Sequence, residues 1–265
     1  MSHIREKTEA VIFDWAGTTV DYGCFAPVQA FLEVFLAYGI EPTVDEVRAP
    51  MGMLKRDHIR TMLAMTRIQA LWQEKYKRPS MEMDVDSLYG LFEEKLMGIL
   101  DQFAQVKPGV SECVEELRKR GVHIGSTTGY TDEMMEIVTR KAAEGGYAPD
   151  AWFSPNSVGN LGRPYPYMIY RNMERFAVHG ASLVVKVGDT VSDIKEGKNA
   201  GVCSIGILEG SSEMGLSQAE YEALTASERQ ALEEKVRARY LEAGADGVIR
   251  DMGELIPWMR ERGML

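Results

Sequence analysis

The chain is poor in cysteine. Its 265 residues hold three, Cys24, Cys113 and Cys203, widely spaced and without a C-x-x-C pair. An odd number in that arrangement argues against a disulfide framework and against a zinc site, and it predicts a reducing, cytoplasmic setting. Basic residues are also in deficit: 30 Lys and Arg face 40 Asp and Glu, a net charge of −10. Nucleic-acid backbones are gripped by clustered Lys and Arg, so this balance argues against nucleic acid as a partner. No apolar run approaches the ~20 residues a bilayer requires. The first residues, Met1 to Glu9, are polar and charged rather than signal-like, so no membrane partner is expected. Internal repeats and low-complexity segments are also lacking.

What remains is an ordinary globular composition, 45% hydrophobic and 26% charged. The length suits one large α/β domain, or a core with a smaller insert. A β-prone apolar run predicts a strand at 10–14. Residues 25–38 read as a helix with one apolar side. From there to about 101 the spacing is helical, notably over 56–65 and 87–100, with a charged loop at 75–80. After Pro108-Gly109 the pattern alternates. Helices are predicted at 112–120, 132–143 (capped by Thr131), 167–177 and 193–200. Strands are predicted at 122–126, 152–153, 183–187, 203–207 and 247–249, before a final helix. Capping boxes stand at Ser217-x-x-Glu220 and Thr225-x-x-Glu228. Such alternation implies a doubly wound parallel sheet, a Rossmann-like α/β core. The first strand belongs to that sheet but is separated from it by a helical stretch. The expected division is a core of 1–22 and 102–265 with a helical cap, 23–101, inserted after the first strand.

Four segments carry chemistry, each expected at the carboxyl end of a parallel strand, where open α/β sheets bind ligands. The first is Val11-Ile12-Phe13-Asp14-Trp15-Ala16-Gly17-Thr18-Thr19-Val20-Asp21, which ends a buried strand on a carboxylate. The second is Gly125-Ser126-Thr127-Thr128-Gly129-Tyr130, whose hydroxyls and amides suit an anion. The third is Gly159 to Pro166, with Arg163 inside Gly162-Arg163-Pro164-Tyr165-Pro166. The fourth, Lys186-Val187-Gly188-Asp189-Thr190-Val191-Ser192-Asp193, sets two carboxylates four apart, oxygen ligands of the kind Mg²⁺ takes. Capping of the following helix is the plainer role for Asp193.

Taken in order, these segments resemble the haloacid dehalogenase superfamily over essentially the whole chain. The resemblance implies a nucleophilic Asp14 that forms an aspartyl phosphate and Thr128 bound to the phosphoryl group. It also implies Arg163 as charge balance and a Mg²⁺ site completed by Asp189 and Asp193. A carboxylate attacking an anionic phosphoryl group needs such neutralisation and alignment. Alanine at position 16 departs from the family's usual aspartate, which protonates the leaving oxygen. Ala16 offers a metal only its carbonyl.

The insert offers an alternative to that acid. Met51-Gly52-Met53-Leu54-Lys55-Arg56-Asp57-His58 lies near a helix start, and a helix through it puts Met51, Lys55 and His58 on one face. A lysine amine beside an aldehyde forms a Schiff base, an electron sink that lets a carbon–phosphorus bond break without an acid at residue 16.

With these motifs added, the chain is similar to the phosphonatase family, which cleaves the carbon–phosphorus bond of phosphonoacetaldehyde in 2-aminoethylphosphonate degradation. That resemblance puts the Schiff-base lysine on Lys55, the nucleophile on Asp14, and the Mg²⁺ ligands on Asp14, the Ala16 carbonyl and Asp189, with Asp193 behind them. Met51, Gly52 and Cys24 fall at the substrate. His58, Tyr130 and Cys24 are candidates to move protons or position water. The implied partners are a small phosphonate and a second copy of the chain, paired through the cap. Two rivals are a 2-haloacid dehalogenase, which needs no Mg²⁺, and an inactive relative serving as a binding module. The Gly188-Asp189…Asp193 site argues against the first, and Asp14, Lys55, Arg163 and Asp189 together argue against the second.

Overall fold

The computed structural model describes residues 7–51 and 53–265. In chain order the elements are β1 (Ala10–Phe13), α1 (Phe25–Ala37), α2 (Val44–Arg48), α3 (Lys55–Ala64), α4 (Thr66–Tyr76), α5 (Glu82–Met97), α6 (Leu100–Phe103) and α7 (Val110–Arg118). Then come β2 (His123–Thr127), α8 (Asp132–Glu144), β3 (Ala151–Phe153), α9 (Tyr167–Phe176), β4 (Val184–Gly188) and α10 (Val191–Ala200). Last are β5 (Cys203–Ile207), α11 (Gln218–Ala223), α12 (Ala226–Glu242), β6 (Gly247–Ile249) and α13 (Leu255–Glu261). Among the described residues no helix is long and apolar enough to cross a membrane.

The six strands make one parallel sheet in the order β3-β2-β1-β4-β5-β6. β1 is buried at every residue, as a central strand covered on both faces must be. The order reverses between β1 and β4, which opens a crevice at their carboxyl ends. Phe13 pairs with Ser126 on one side and Val187 on the other, so Asp14, Thr127 and Gly188 leave the sheet at one level.

The helices between β1 and β2 pack on one another, α5 against α1 and α3. Phe31 of α1 stacks between Phe92 of α5, 4.2 Å away, and His58 of α3, 3.9 Å away. One apolar core runs from Val11 and Phe13 of the sheet into Phe31 and Phe92 of these helices. The chain enters and leaves this helical group side by side: Val20 bridges Val106, and the Lys107 amide donates to the Thr19 carbonyl at 2.9 Å.

Two local expectations differ from the structure. The charged stretch from Lys75 suggests a loop, but α4 runs through Tyr76, and the turn comes at Lys77. Tyr76 packs on Trp72 at 4.5 Å and donates to the Tyr38 carbonyl at 2.9 Å, contacts that carry the helix past its apolar pattern. The short α2 passed unnoticed because five residues show no periodicity, yet its Thr43/Glu46 capping box is present in the sequence.

α1 has no capping side chain at its own N-cap, Cys24. Buried Asp21 does that work from three residues back, accepting from the Phe25 and Ala26 amides at 2.9 and 3.0 Å. Burial pushes its carboxyl up to about 7, against the pull of those amides and of Arg48 and Lys107. Asp21→Ala removes the cap and places alanine at a φ of 52°, so unfolding stability should fall by about 2 kcal/mol. Asp21→Asn should cost under about 1 kcal/mol. The folded carboxyl holds its proton to higher pH than the unfolded one, ordinarily near 3.8. Wild type should therefore lose stability relative to the Asn variant as pH rises from about 4 to about 7. Denaturant unfolding of the three proteins across that range checks both points.

Candidate active site

Asp14, Thr128 and Asp189 converge where the sheet order reverses, and side chains of the inserted helices close over them. The space between them is small, about 40 Å³. Its core wall is Asp14, Ala16, Thr128, Gly129, Tyr130, Arg163, Asp189, Thr190 and Ser212. Its other wall is Cys24, Pro27, Met51, Met53 and Lys55. The sequence-predicted residues Asp14, Ala16, Cys24, Met51, Lys55, Thr128, Tyr130, Arg163 and Asp189 thus share one cavity.

Arg163 organises the floor. One terminal nitrogen, Nη2, donates to Asp14 Oδ1 at 2.5 Å and to the Thr127 carbonyl at 2.8 Å. The other, Nη1, faces Asp193 Oδ1 at 3.1 Å, and Nε donates to Glu196 Oε2 at 3.0 Å. Only 7% of the Arg163 side chain is exposed. Burial opposes its charge, but Asp14, Asp193 and Glu196 outweigh burial and hold its pKa above the ordinary guanidinium value. Burial also opposes the charge of Asp193, and Arg163 and Lys186 outweigh it, so that carboxyl titrates below its usual range.

The acidic groups suit a hard cation. Oxygens of Asp14, Asp189 and Asp193, all buried, lie within 4.8 Å of one another. Burial, together with the charges of Asp14 and Asp193, pushes the Asp189 carboxyl well above its ordinary range, the mark of carboxylates crowded without enough positive charge. An all-oxygen set of this kind fits a hard divalent cation. Asp193 is the least free of the three. Its Oδ2 accepts from the Thr190 hydroxyl at 2.6 Å in a capping box for α10, and its Oδ1 faces Arg163 and Lys186. Capping and ion pairing place it behind Asp14 and Asp189. Asp189 Oδ2 accepts from the Ser212 amide at 2.7 Å and from the Ser212 hydroxyl. Gly17 has a φ of 86°, and a Cβ there would lie 2.1 Å from Asp189 Oδ2, so only glycine fits this bend.

Lys55, the first residue of α3, brings its amine to the other wall, with Nζ 6.0 Å from the centre of the Tyr130 ring. Burial depresses its pKa below 10.5; Arg163 adds to the shift, while Cys24, Asp14 and Asp189 oppose it. Burial and the nearby Asp21 raise the Cys24 thiol, and burial likewise raises the Tyr130 phenol, so both stay protonated at neutral pH. Thr128 accepts from the Tyr130 amide at 3.0 Å.

The helix-face expectation for Met51, Lys55 and His58 needs correction. α3 begins at Lys55, so Met51 reaches the cavity from the preceding turn. His58 turns inward instead. Its ring stacks on Phe31, its Nε2 lies 2.8 Å from the Val47 carbonyl, and its Nδ1 is buried without a partner. Burial, and next the charge of Lys55, keep it neutral. Gly52 lies outside the described residues.

Several working residues escaped the sequence reading. Lys186 and Glu196 are fully buried and join Thr127, Asp193 and Arg163 in one ionic network. A lysine inside the apolar run Val184-Val185-Lys186-Val187 was the available signal, since unpaired lysines are almost never fully buried. Ser212 and Lys107 had none. Lys107 Nζ donates to the Gly17 carbonyl and, at 2.7 Å, to the Glu209 carbonyl, bolting the loop after β1 to the loop after β5.

Comparison with known proteins places the chain in a family. Residues 8–201 match the haloacid dehalogenase-like hydrolase family. A phosphonoacetaldehyde hydrolase of Lysinibacillus sphaericus is 52% identical over 94% of this chain and 93% of its own. A bifunctional phosphonoacetaldehyde hydrolase/aminoethylphosphonate transaminase of Clostridioides difficile is 51% identical over 94% of this chain and 39% of its own. The crystal structure of a phosphonoacetaldehyde hydrolase-like protein from Oleispira antarctica superposes with a TM-score of 0.94 at 36% identity, covering 98% of this chain and 94% of that one. The chain therefore belongs to the haloacid dehalogenase-like hydrolases and, among them, to the phosphonoacetaldehyde hydrolase family.

Proposed function

We propose that this site hydrolyses the carbon–phosphorus bond of phosphonoacetaldehyde, giving acetaldehyde and phosphate. The carrying observation is one cavity with a carboxylate, Asp14, on one wall and a desolvated amine, Lys55, on the other, and with alanine where an acid would stand. The phosphonate end seats on Thr128 and Arg163, and the aldehyde end reaches Lys55. The neutral amine adds to the aldehyde, the carbinolamine loses water, and the resulting imine takes up a proton from solvent to become an iminium on Lys55 Nζ. Asp14 attacks phosphorus in line. The carbon–phosphorus electron pair moves into the iminium, leaving an enamine on Lys55 and a phosphoryl group on Asp14. Water then cleaves the acyl phosphate. Protonation of the enamine and hydrolysis of the imine return acetaldehyde and free Lys55. No proton is needed from residue 16. Asp14, Asp189 and the Ala16 carbonyl, with Asp193 behind them, would hold Mg²⁺, which supplies charge neutralisation for the nucleophile and the phosphonate oxygens. Buried Tyr130 and Cys24, both protonated, keep the amine out of bulk water.

Borohydride added with substrate should fix a two-carbon adduct on Lys55, located by peptide mass analysis. An adduct on another lysine, or none, contradicts the reading. Lys55→Arg keeps the charge but forms no imine, and kcat should fall by at least about 10³, roughly 4 kcal/mol of barrier. Near-normal turnover would refute the covalent role. The lowered pKa of Lys55 sets the sign of the pH dependence. The neutral amine is present at lower pH than in free lysine, so the trapping rate should rise with a midpoint below 10.5. A midpoint at or above that value contradicts it.

Removal of metal is an independent check. Phosphate release should stop in excess chelator and return with added Mg²⁺, as the crowded carboxylates require. Full activity in chelator would contradict the metal assignment.

A further inference from the structure

Beneath the cavity floor lies a buried set of charges that the proposed chemistry leaves unused. Lys186 sits in the middle of β4 and Glu196 on α10, and both are fully buried. Lys186 Nζ lies 3.2 Å from Glu196 Oε2, 3.0 Å from Asp193 Oδ1 and 2.7 Å from the Thr127 hydroxyl. Glu196 Oε2 also accepts from Thr127 Oγ1 and from Arg163 Nε, each at 3.0 Å. The cations Arg163 and Lys186 thus balance the anions Asp193 and Glu196. Neither Lys186 nor Glu196 lines the cavity.

We infer that Lys186 and Glu196 are positioning residues that fix the rotation of the Arg163 guanidinium, so that a single nitrogen, Nη2, faces the reacting groups. A guanidinium is a rigid planar fork, and holding its nitrogens from below sets its plane. Glu196 accepts from Nε, Asp193 Oδ1 lies 3.1 Å from Nη1, and Thr127 accepts from Nη2 through its carbonyl and its hydroxyl. The same Nη2 reaches Asp14 Oδ1. On substrate binding Nη2 transfers from Asp14 to a phosphonate oxygen, which frees the nucleophile as it neutralises the target. Glu196 alone would lie buried beside Asp193 with more negative than positive charge around Arg163, and the guanidinium would be drawn down and away from Asp14. Lys186 cancels that pull. A buried ion set of this kind is a poor source of stability, because desolvation offsets most of its attraction. Fixing a reacting group's geometry is a role it fills well, and misplacement by about 1 Å costs roughly 100-fold in rate.

This inference rests on the assignment of Arg163 to the phosphoryl group in the proposed function, and the test separates the two. Lys186→Met, Glu196→Gln and the charge-balanced double variant are prepared, and each is measured below its unfolding transition. Two rates are read: borohydride trapping at Lys55, which reports the imine, and single-turnover phosphate release, which reports phosphoryl transfer. Each single variant should slow phosphate release by about 10- to 100-fold. Trapping should stay within about twofold of wild type. The double variant should be no slower than the slower single, because the two residues act on one guanidinium. Wild-type phosphate release in either single variant overturns the inference. So do losses that multiply in the double variant, or trapping that falls in parallel with phosphate release. If a single variant fails to fold, the double variant decides: slow phosphate release with normal trapping supports the inference, and normal release overturns it. Absence of trapping at Lys55 in the wild type would instead strike the proposed function itself.

Discussion

The contact between Arg163 and Asp14 governs the rest of the site. A sheet that reverses direction between β1 and β4 brings the ends of those strands together, and here both ends carry carboxylates. Three buried acids within 4.8 Å of one another repel, and the fold holds them there only with compensating charge. Arg163 supplies part of it from the loop before α9, touching Asp14, Asp193 and Glu196 together. Lys186 supplies more from below. The raised pKa of Asp189 marks where further positive charge would settle, as a metal ion held there would supply.

In the proposed reaction the helices between β1 and β2 supply the amine. The core alone then provides a nucleophile and an anion site but no acid for a leaving group, because Ala16 has no ionisable side chain. Lys55 comes from outside the core, at the first residue of α3, and meets the cavity only because that helix is held over the sheet. Its position depends on features remote from the reaction. Asp21 caps α1, Val20 and Val106 pair where the chain crosses over, and Lys107 ties the loop after β1 to the loop after β5. Gly17, with no side chain, lets that first loop bend close to Asp189.

Much of this was legible from residue order. An apolar run ending in Asp14, a Gly-Asp after β4 and the Thr128 and Arg163 loops all fall where parallel-strand periodicity places them, and one cavity collects them. Contacts between elements distant in sequence were not legible. A helix running through residue 51 would set Met51, Lys55 and His58 on one face. α3 instead starts at Lys55, and stacking on Phe31 draws the imidazole into the interior. Lys186 and Glu196 stand ten residues apart on different elements, and only the packing of α10 against β4 and β5 brings their charges together. Tyr76 shows the same effect on secondary structure: its contacts with Trp72 and Tyr38 prolong α4 through residues whose charge pattern suggests a loop.

The central claim is that Lys55 activates the substrate before Asp14 cleaves it, within one cavity. Asp14→Asn separates the two steps most directly. This variant is mixed with phosphonoacetaldehyde and reduced with borohydride, and the Lys55 peptide is weighed. The account predicts an adduct on Lys55 that still carries its phosphorus, because the imine forms but the carbon–phosphorus bond stays intact. An unmodified Lys55, or an adduct there already stripped of phosphorus, would contradict it.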